Sequence, residues 1–148
     1  GYVYRREDFV FKDGIFEALR GFAQAGYALV VVTNQSGIGR GYYTLEQFDE
    51  LCRFMLSEFE KEGVKIAKIY FCPHAPEADC LCHKAKPGML IKAANELNID
   101  LARSIMIGDK DSDVQAGQSA GVGVNLKLDD RLKSVAEALE FLKKEGKI

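Results

Sequence analysis

Residues 28–41 read ALVVVTNQSGIGRG, and this stretch decides the fold. Ala28 to Val32 form a continuous apolar run that includes three valines. Such a run predicts a strand covered on both faces, as in a parallel sheet beneath helices. It stops at Thr33, where the composition turns to Thr33, Asn34, Gln35 and Ser36 and then to Gly37, Gly39 and Gly41. Hydroxyls, amides and unblocked backbone N–H groups are thereby set at the carboxyl end of a core strand, the edge at which open α/β sheets bind ligands.

Upstream, residues 1–14 mix aromatic and charged side chains without a period, which predicts an irregular lead-in. A helix should follow, capped by Asp13, buried along Ile15, Leu19, Phe22 and Ala23, and stopped by Gly26 before a strand from Tyr27. Downstream of the glycines, Thr44 and Gln47 have capping-box spacing. Phe48, Leu51, Cys52, Met55, Leu56 and Phe59 then mark one helical face, which assigns Cys52 to the core. A second strand, Ile66 to Phe71, runs straight into Cys72. Pro87 suits the first turn of a helix buried along Leu90, Ala93, Ala94 and Leu97, with Asn98 as its stop. Strand Ser104 to Ile107, a short helix ending at Gly121, strand Val122 to Leu126 and a terminal helix opened by a second capping box, Ser134 and Glu137, complete the pattern. Strict alternation of strand and helix predicts an α/β fold, a Rossmann-like parallel sheet with helices on both faces and right-handed crossovers.

A chain of 148 residues suits a single domain, able to bury roughly 70% of its unfolded surface without staples. A net charge of -2 argues against a broad surface for nucleic acid or anionic membrane. No apolar run approaches the ~20 residues of a membrane span, and no secretory signal opens the sequence. The expectation is a cytoplasmic monomer acting on a small molecule.

Residues 72–89 read CPHAPEADCLCHKAKPGM, so Cys72, His74, Cys80 and Cys82 offer three thiolates and one imidazole within one loop. Structural zinc takes four such ligands in a tetrahedron and leaves no position for substrate, so a zinc ion here would clamp the loop. The alternative is a set of reduced cysteines in a reducing compartment. His83, Lys84 and Lys86 follow directly, and a lysine fixed by its neighbours suits a phosphate oxygen, whereas an isolated one is solvated charge. In SIMIGDKDSDVQAG, an apolar strand ends in Gly108 and Asp109, followed by Lys110, Asp111 and Asp113. Asp109 is the hard oxygen ligand that Mg²⁺ prefers, while Asp111 or Ser112 is expected to cap the next helix. The glycines of GIGRG match neither a P-loop nor GxGxxG, and turn formation is enough to explain them.

Taken in order, Thr33, the HKAKP run and GDKDSD resemble the second, third and fourth motifs of the haloacid dehalogenase superfamily of phosphotransferases. More closely, TNQSGIGRG, CPH followed by CxC, KxKPGM and IGDKDSD resemble the D-glycero-D-manno-heptose 1,7-bisphosphate phosphatase family, whose relatives include histidinol-phosphate phosphatases. The resemblance implies hydrolysis of a sugar phosphate through an aspartyl phosphate, a covalent relay by a carboxylate. It implies that Thr33 and Lys84 contact the phosphoryl group, with Lys86 the alternative lysine, and that Asn34, Gln35, Ser36 and His83 line the substrate. It further implies Mg²⁺ at Asp109 with Lys110 beside it, and zinc on Cys72, His74, Cys80 and Cys82. Two positions depart from the family's pattern. His83 stands where the heptose enzymes usually carry arginine, and Ala85 where they usually carry proline. The family's first motif, DxDG on a central strand, has no counterpart here. Since Gly1 is not Met, the expectation is that this strand and its nucleophile lie upstream, and that residues 1–148 without it are inactive. A non-catalytic, zinc-stabilised phosphate-binding remnant is the competing expectation.

Overall fold

The computed structural model describes residues 11–74 and 86–148. Strand β1 (Leu29–Asn34) pairs in parallel with β2 (Ile66–Cys72), Thr33 lying opposite Phe71 and Asn34 opposite Cys72. Strand β3 (Ile105–Gly108) pairs in parallel with β4 (Val124–Lys127), and Gly108 lies opposite Lys127. The chain alternates these strands with α1 (Ile15–Gln24), the one-turn α2 (Ser36–Gly39), α3 (Leu45–Lys61), α4 (Gly88–Leu97), α5 (Asp111–Ala120) and α6 (Val135–Lys144). The parallel α/β architecture is as the sequence predicts. The short turn α2, the 3₁₀ turn at Leu101–Arg103 and the extension of β1 to Asn34 are not anticipated. The last strand starts at Val124, two residues later than Val122.

Helices cover both faces. On one, Met89 and Ala93 of α4 pack on Tyr70 and Cys72 of β2, with Val30 and Val32 of β1 against them. On the other, Phe22 of α1 and Leu139 and Leu142 of α6 pack on Leu29, Ile105, Ile107, Val124 and Leu126. Period-two alternation sends successive β1 residues to opposite layers. Phe11, Phe16 and Phe59 stack at ring separations of 5.0–5.4 Å, tying α1 to α3. Helix α4 is also held from its polar side, since Glu96 accepts from the Tyr70 hydroxyl at 2.6 Å and from Lys68 Nζ at 2.9 Å. These two donors hold the Glu96 carboxyl below the usual glutamate range.

The caps divide into those that obey local spacing and those that do not. The Thr44–Gln47 box forms as expected and Asn98 ends α4 in the left-handed region at φ 57°. The second expected box forms by half: Ser134 accepts from the Glu137 N–H at 3.1 Å and caps α6 without the reciprocal Glu137 bond. Asp13 does not cap α1. Gly14 holds the cap position without a side-chain bond, because the helix starts one residue later than an Asp13 cap requires. Ala23 is exposed, since the buried stripe runs through Ala18 and Phe22 and the next residue lies about 100° further round the helix.

The first strand also differs from expectation. Every residue of β1 is half-buried, although its composition suits cover on both faces. Among the described residues no strand lies between β1 and β3, and the sheet forms two pairs, β1–β2 and β3–β4. A cavity of about 330 Å³ is lined from one side by Leu29 to Val32 and from the other by Ile105 to Ile107. A second, of about 530 Å³, takes in Ala28 and Ser104, the residues just ahead of β1 and β3. The two strands therefore begin at a common edge, with an apolar slot between them.

Candidate active site

Parallel pairing fixes where the polar residues after β1 come to rest. The ladder with β2 continues one step past the strand, the Gln35 N–H donating to the Cys72 carbonyl oxygen at 2.7 Å. That bond turns Gln35 back over the strand end, and its Nε2 donates to Thr33 Oγ1 at 3.0 Å. The Thr33 hydroxyl makes a long 3.4 Å contact to the Asn34 carbonyl oxygen. The other end of the Gln35 amide accepts from the Tyr43 hydroxyl at 2.5 Å. Ser36 opens α2, and the Ile38 N–H to Gln35 oxygen bond of 3.1 Å closes that turn. Gly37 is required there, because a Cβ at this position would overlap the Tyr43 ring.

At the end of β3 a carboxylate does the shaping. Asp113 is fully buried, and its Oδ2 accepts from the Lys110 N–H at 3.1 Å, bracing the turn that carries Asp109. Gly108 makes room for it, since a Cβ at Gly108 would overlap the Asp113 carboxyl group. The Leu128 N–H donates to the Gly108 oxygen at 2.7 Å and fixes the strand end from the β4 side. Asp109 and Lys110 are exposed. Asp111 does not cap α5 as expected. It is the first helical residue, and its carboxylate meets Lys127 Nζ at 2.9 Å, raising the lysine's pKa. The bracing belongs to Asp113, which reaches back three residues to the Lys110 N–H.

Cys72 Sγ lies 3.5 Å from His74 Nδ1 at the end of β2. Among the described residues no group of three or more metal-ligating side chains occurs. Cys80, Cys82, His83 and Lys84 lie outside the described residues. Lys86 is half-buried just ahead of α4. Cys52 is half-buried on α3, and burial together with the Asp49 carboxylate pushes its thiol up to about 11, as befits a packing residue.

The structure thus holds Thr33, Asn34, Gln35 and Ser36 on one turn at the end of β1, and Asp109 and Lys110 at the end of β3. Two residues escape sequence reasoning. Tyr43 carries no periodic signal beside Tyr42. Asp113 stands four residues after Asp109 in a run of acids, visible in composition but not distinguishable there from its neighbours.

The family described as Hydrolase_like, HAD-hydrolase-like, matches residues 81–134. The chain is 46% identical to D-glycero-alpha-D-manno-heptose-1,7-bisphosphate 7-phosphatase of Campylobacter jejuni, over 97% of this chain and 88% of that protein. It is 51% identical to D-glycero-beta-D-manno-heptose-1,7-bisphosphate 7-phosphatase of Helicobacter pylori strain J99, over 86% of this chain and 74% of that one. The chain belongs to the heptose-1,7-bisphosphate 7-phosphatase family. Heptose bisphosphate phosphatases share its fold as well. The crystal structure of the D,D-heptose 1,7-bisphosphate phosphatase of B. bronchiseptica, complexed with magnesium and phosphate, matches at a TM-score of 0.85 and 25% identity. That match covers 97% of this chain and 89% of the other. The family is one of phosphatases with an α/β fold, and no helix among the described residues is long and apolar enough to cross a membrane.

Proposed function

We propose that this heptose-1,7-bisphosphate 7-phosphatase family member removes the 7-phosphate from D-glycero-D-manno-heptose 1,7-bisphosphate. The observation that carries the reading is 46–51% identity to relatives of that activity along most of the chain. In this reading Thr33 donates its hydroxyl to the transferring phosphoryl group and Lys84 neutralises its charge. Asn34, Gln35, Ser36 and His83 contact the sugar side of the substrate. Phosphoryl transfer is catalysed chiefly by position and by charge stabilisation on the equatorial oxygens, which is the chemistry these groups offer.

Asp109 fits a magnesium ion, because an exposed carboxylate on a turn braced by buried Asp113 is a hard oxygen donor in a fixed place. Bound there beside Lys110, Mg²⁺ would supply positive charge to the phosphate oxygens. Cys72 and His74 fit a zinc ion. Sulfur and nitrogen ligands at tetrahedral zinc stand ~3.5 Å apart, and these two atoms are separated by 3.5 Å. Cys80 and Cys82 would complete the set and clamp the loop that carries Lys84. The reading also puts the nucleophilic aspartate on a strand upstream of Gly1, within the slot between β1 and β3. The apolar lining of that slot and the half-buried valines of β1 support it.

Phosphate release by the full-length protein tests the reading. Heptose 1,7-bisphosphate, as either anomer, should be hydrolysed with Mg²⁺ and far more slowly without it, and Lys84→Ala should lower turnover by orders of magnitude. Faster release from histidinol phosphate would move the protein to the sister activity. Phosphate binding without turnover would make it a binding module. Full activity in Lys84→Ala would transfer the lysine's role to Lys86.

A further inference from the structure

We propose that Tyr43 is a positioning residue that sets the Thr33 hydroxyl through the side-chain amide of Gln35. The inference rests on the reading above in which Thr33 contacts the phosphoryl group. The two adjacent tyrosines are opposites: Tyr42 is 59% exposed and Tyr43 only 4%. The Tyr43 ring fills the space left by the missing side chain of Gly37, and its hydroxyl reaches Gln35 Oε1 at 2.5 Å. The far end of the same amide lies 3.0 Å from Thr33 Oγ1.

The bonding pattern orients the amide. The phenol meets the amide oxygen, so the amide nitrogen is the end that faces Thr33. An amide nitrogen can only donate, and Thr33 Oγ1 therefore accepts a hydrogen bond from Gln35. The hydroxyl's own proton is left with the 3.4 Å contact to the Asn34 carbonyl oxygen, long enough to be exchanged for a phosphoryl oxygen. Without the phenol, nothing in this chain of bonds opposes a half-turn of the amide. That half-turn would present Oε1 to Thr33 and occupy the proton the substrate needs. The Gln35 N–H to Cys72 bond of 2.7 Å holds the backbone, so only the side chain has this freedom.

A double-mutant cycle in the full-length phosphatase tests the relay. Tyr43→Phe keeps the ring and removes the hydroxyl. It should lower kcat roughly tenfold, the scale of one hydrogen bond, with KM changed by less than about twofold and the melting temperature held. In a Thr33→Val background the same change should cost nothing further, whereas in Thr33→Ser it should again lower kcat. Wild-type kcat in Tyr43→Phe, or an equal loss with and without the Thr33 hydroxyl, overturns the relay. Unimpaired turnover in Thr33→Val instead overturns the role given to Thr33, which is a different result. Gln35→Glu, of the same shape but with oxygen in place of the donor, repeats the test should Tyr43→Phe melt early. It should lose at least as much turnover, and full activity there likewise overturns the relay.

Discussion

Cys52 and Cys72 differ in surroundings more than in chemistry. Cys52, half-buried near Asp49, has its thiol pushed up to about 11. At pH 8 its thiolate fraction is about one in a thousand, against roughly a quarter for an unfolded cysteine. Iodoacetamide should therefore label Cys52 in the folded protein on the order of a hundredfold more slowly than in urea, as peptide mass spectrometry can measure; comparable rates would contradict the packing described. The helical period of Phe48, Leu51 and Met55 is enough to place Cys52 inward. Residues after β1 are equally legible as a polar strand end. Tyr43 is not, because its burial depends on a gap at Gly37 six positions away, and no periodicity relates a loop side chain to the glycine it covers.

Elements are legible where their signals are local. The Thr44 box and the Ser134 cap each close within three residues, so sequence spacing contains the whole interaction. Asp111 defeats the same logic, because a nearby lysine on β4 takes its carboxylate while Asp113 supplies the brace. The junction of β3 and α5 consequently depends on Gly108. Gly108→Ala should lower stability by about 1–3 kcal/mol, the range for inserting atoms into a packed site. It should also depress activity beyond that loss by displacing the turn under Asp109. Urea unfolding beside an assay at low temperature separates the two effects, and an unchanged unfolding midpoint would count against the tight fit.

For the whole molecule, alternation of strand and helix yields the parallel α/β architecture, yet the division of the sheet into two pairs among the described residues is not written in any local window. The apolar character of Ala28 to Val32 signals a strand with neighbours, and among the described residues only β2 pairs with it. Across the β2–α4 contact, Glu96 has a lowered pKa, chiefly through the Tyr70 hydroxyl and then through Lys68. A lowered carboxyl pKa stabilises the fold above the ordinary value of 4.5 and ceases to do so as pH falls through the folded-state value below it. Urea midpoints followed from pH 6 to about 3 should accordingly fall less steeply in Glu96→Gln than in the parent, and superimposable profiles would remove Glu96 from the acid response. Strand β1 finally ties the two apolar layers into one thermodynamic unit. Leu29 contributes to one layer and Val30 and Val32 to the other, so sliding β1 by a single residue would swap its contributions to both together. Neither layer can lose this strand while the other keeps it.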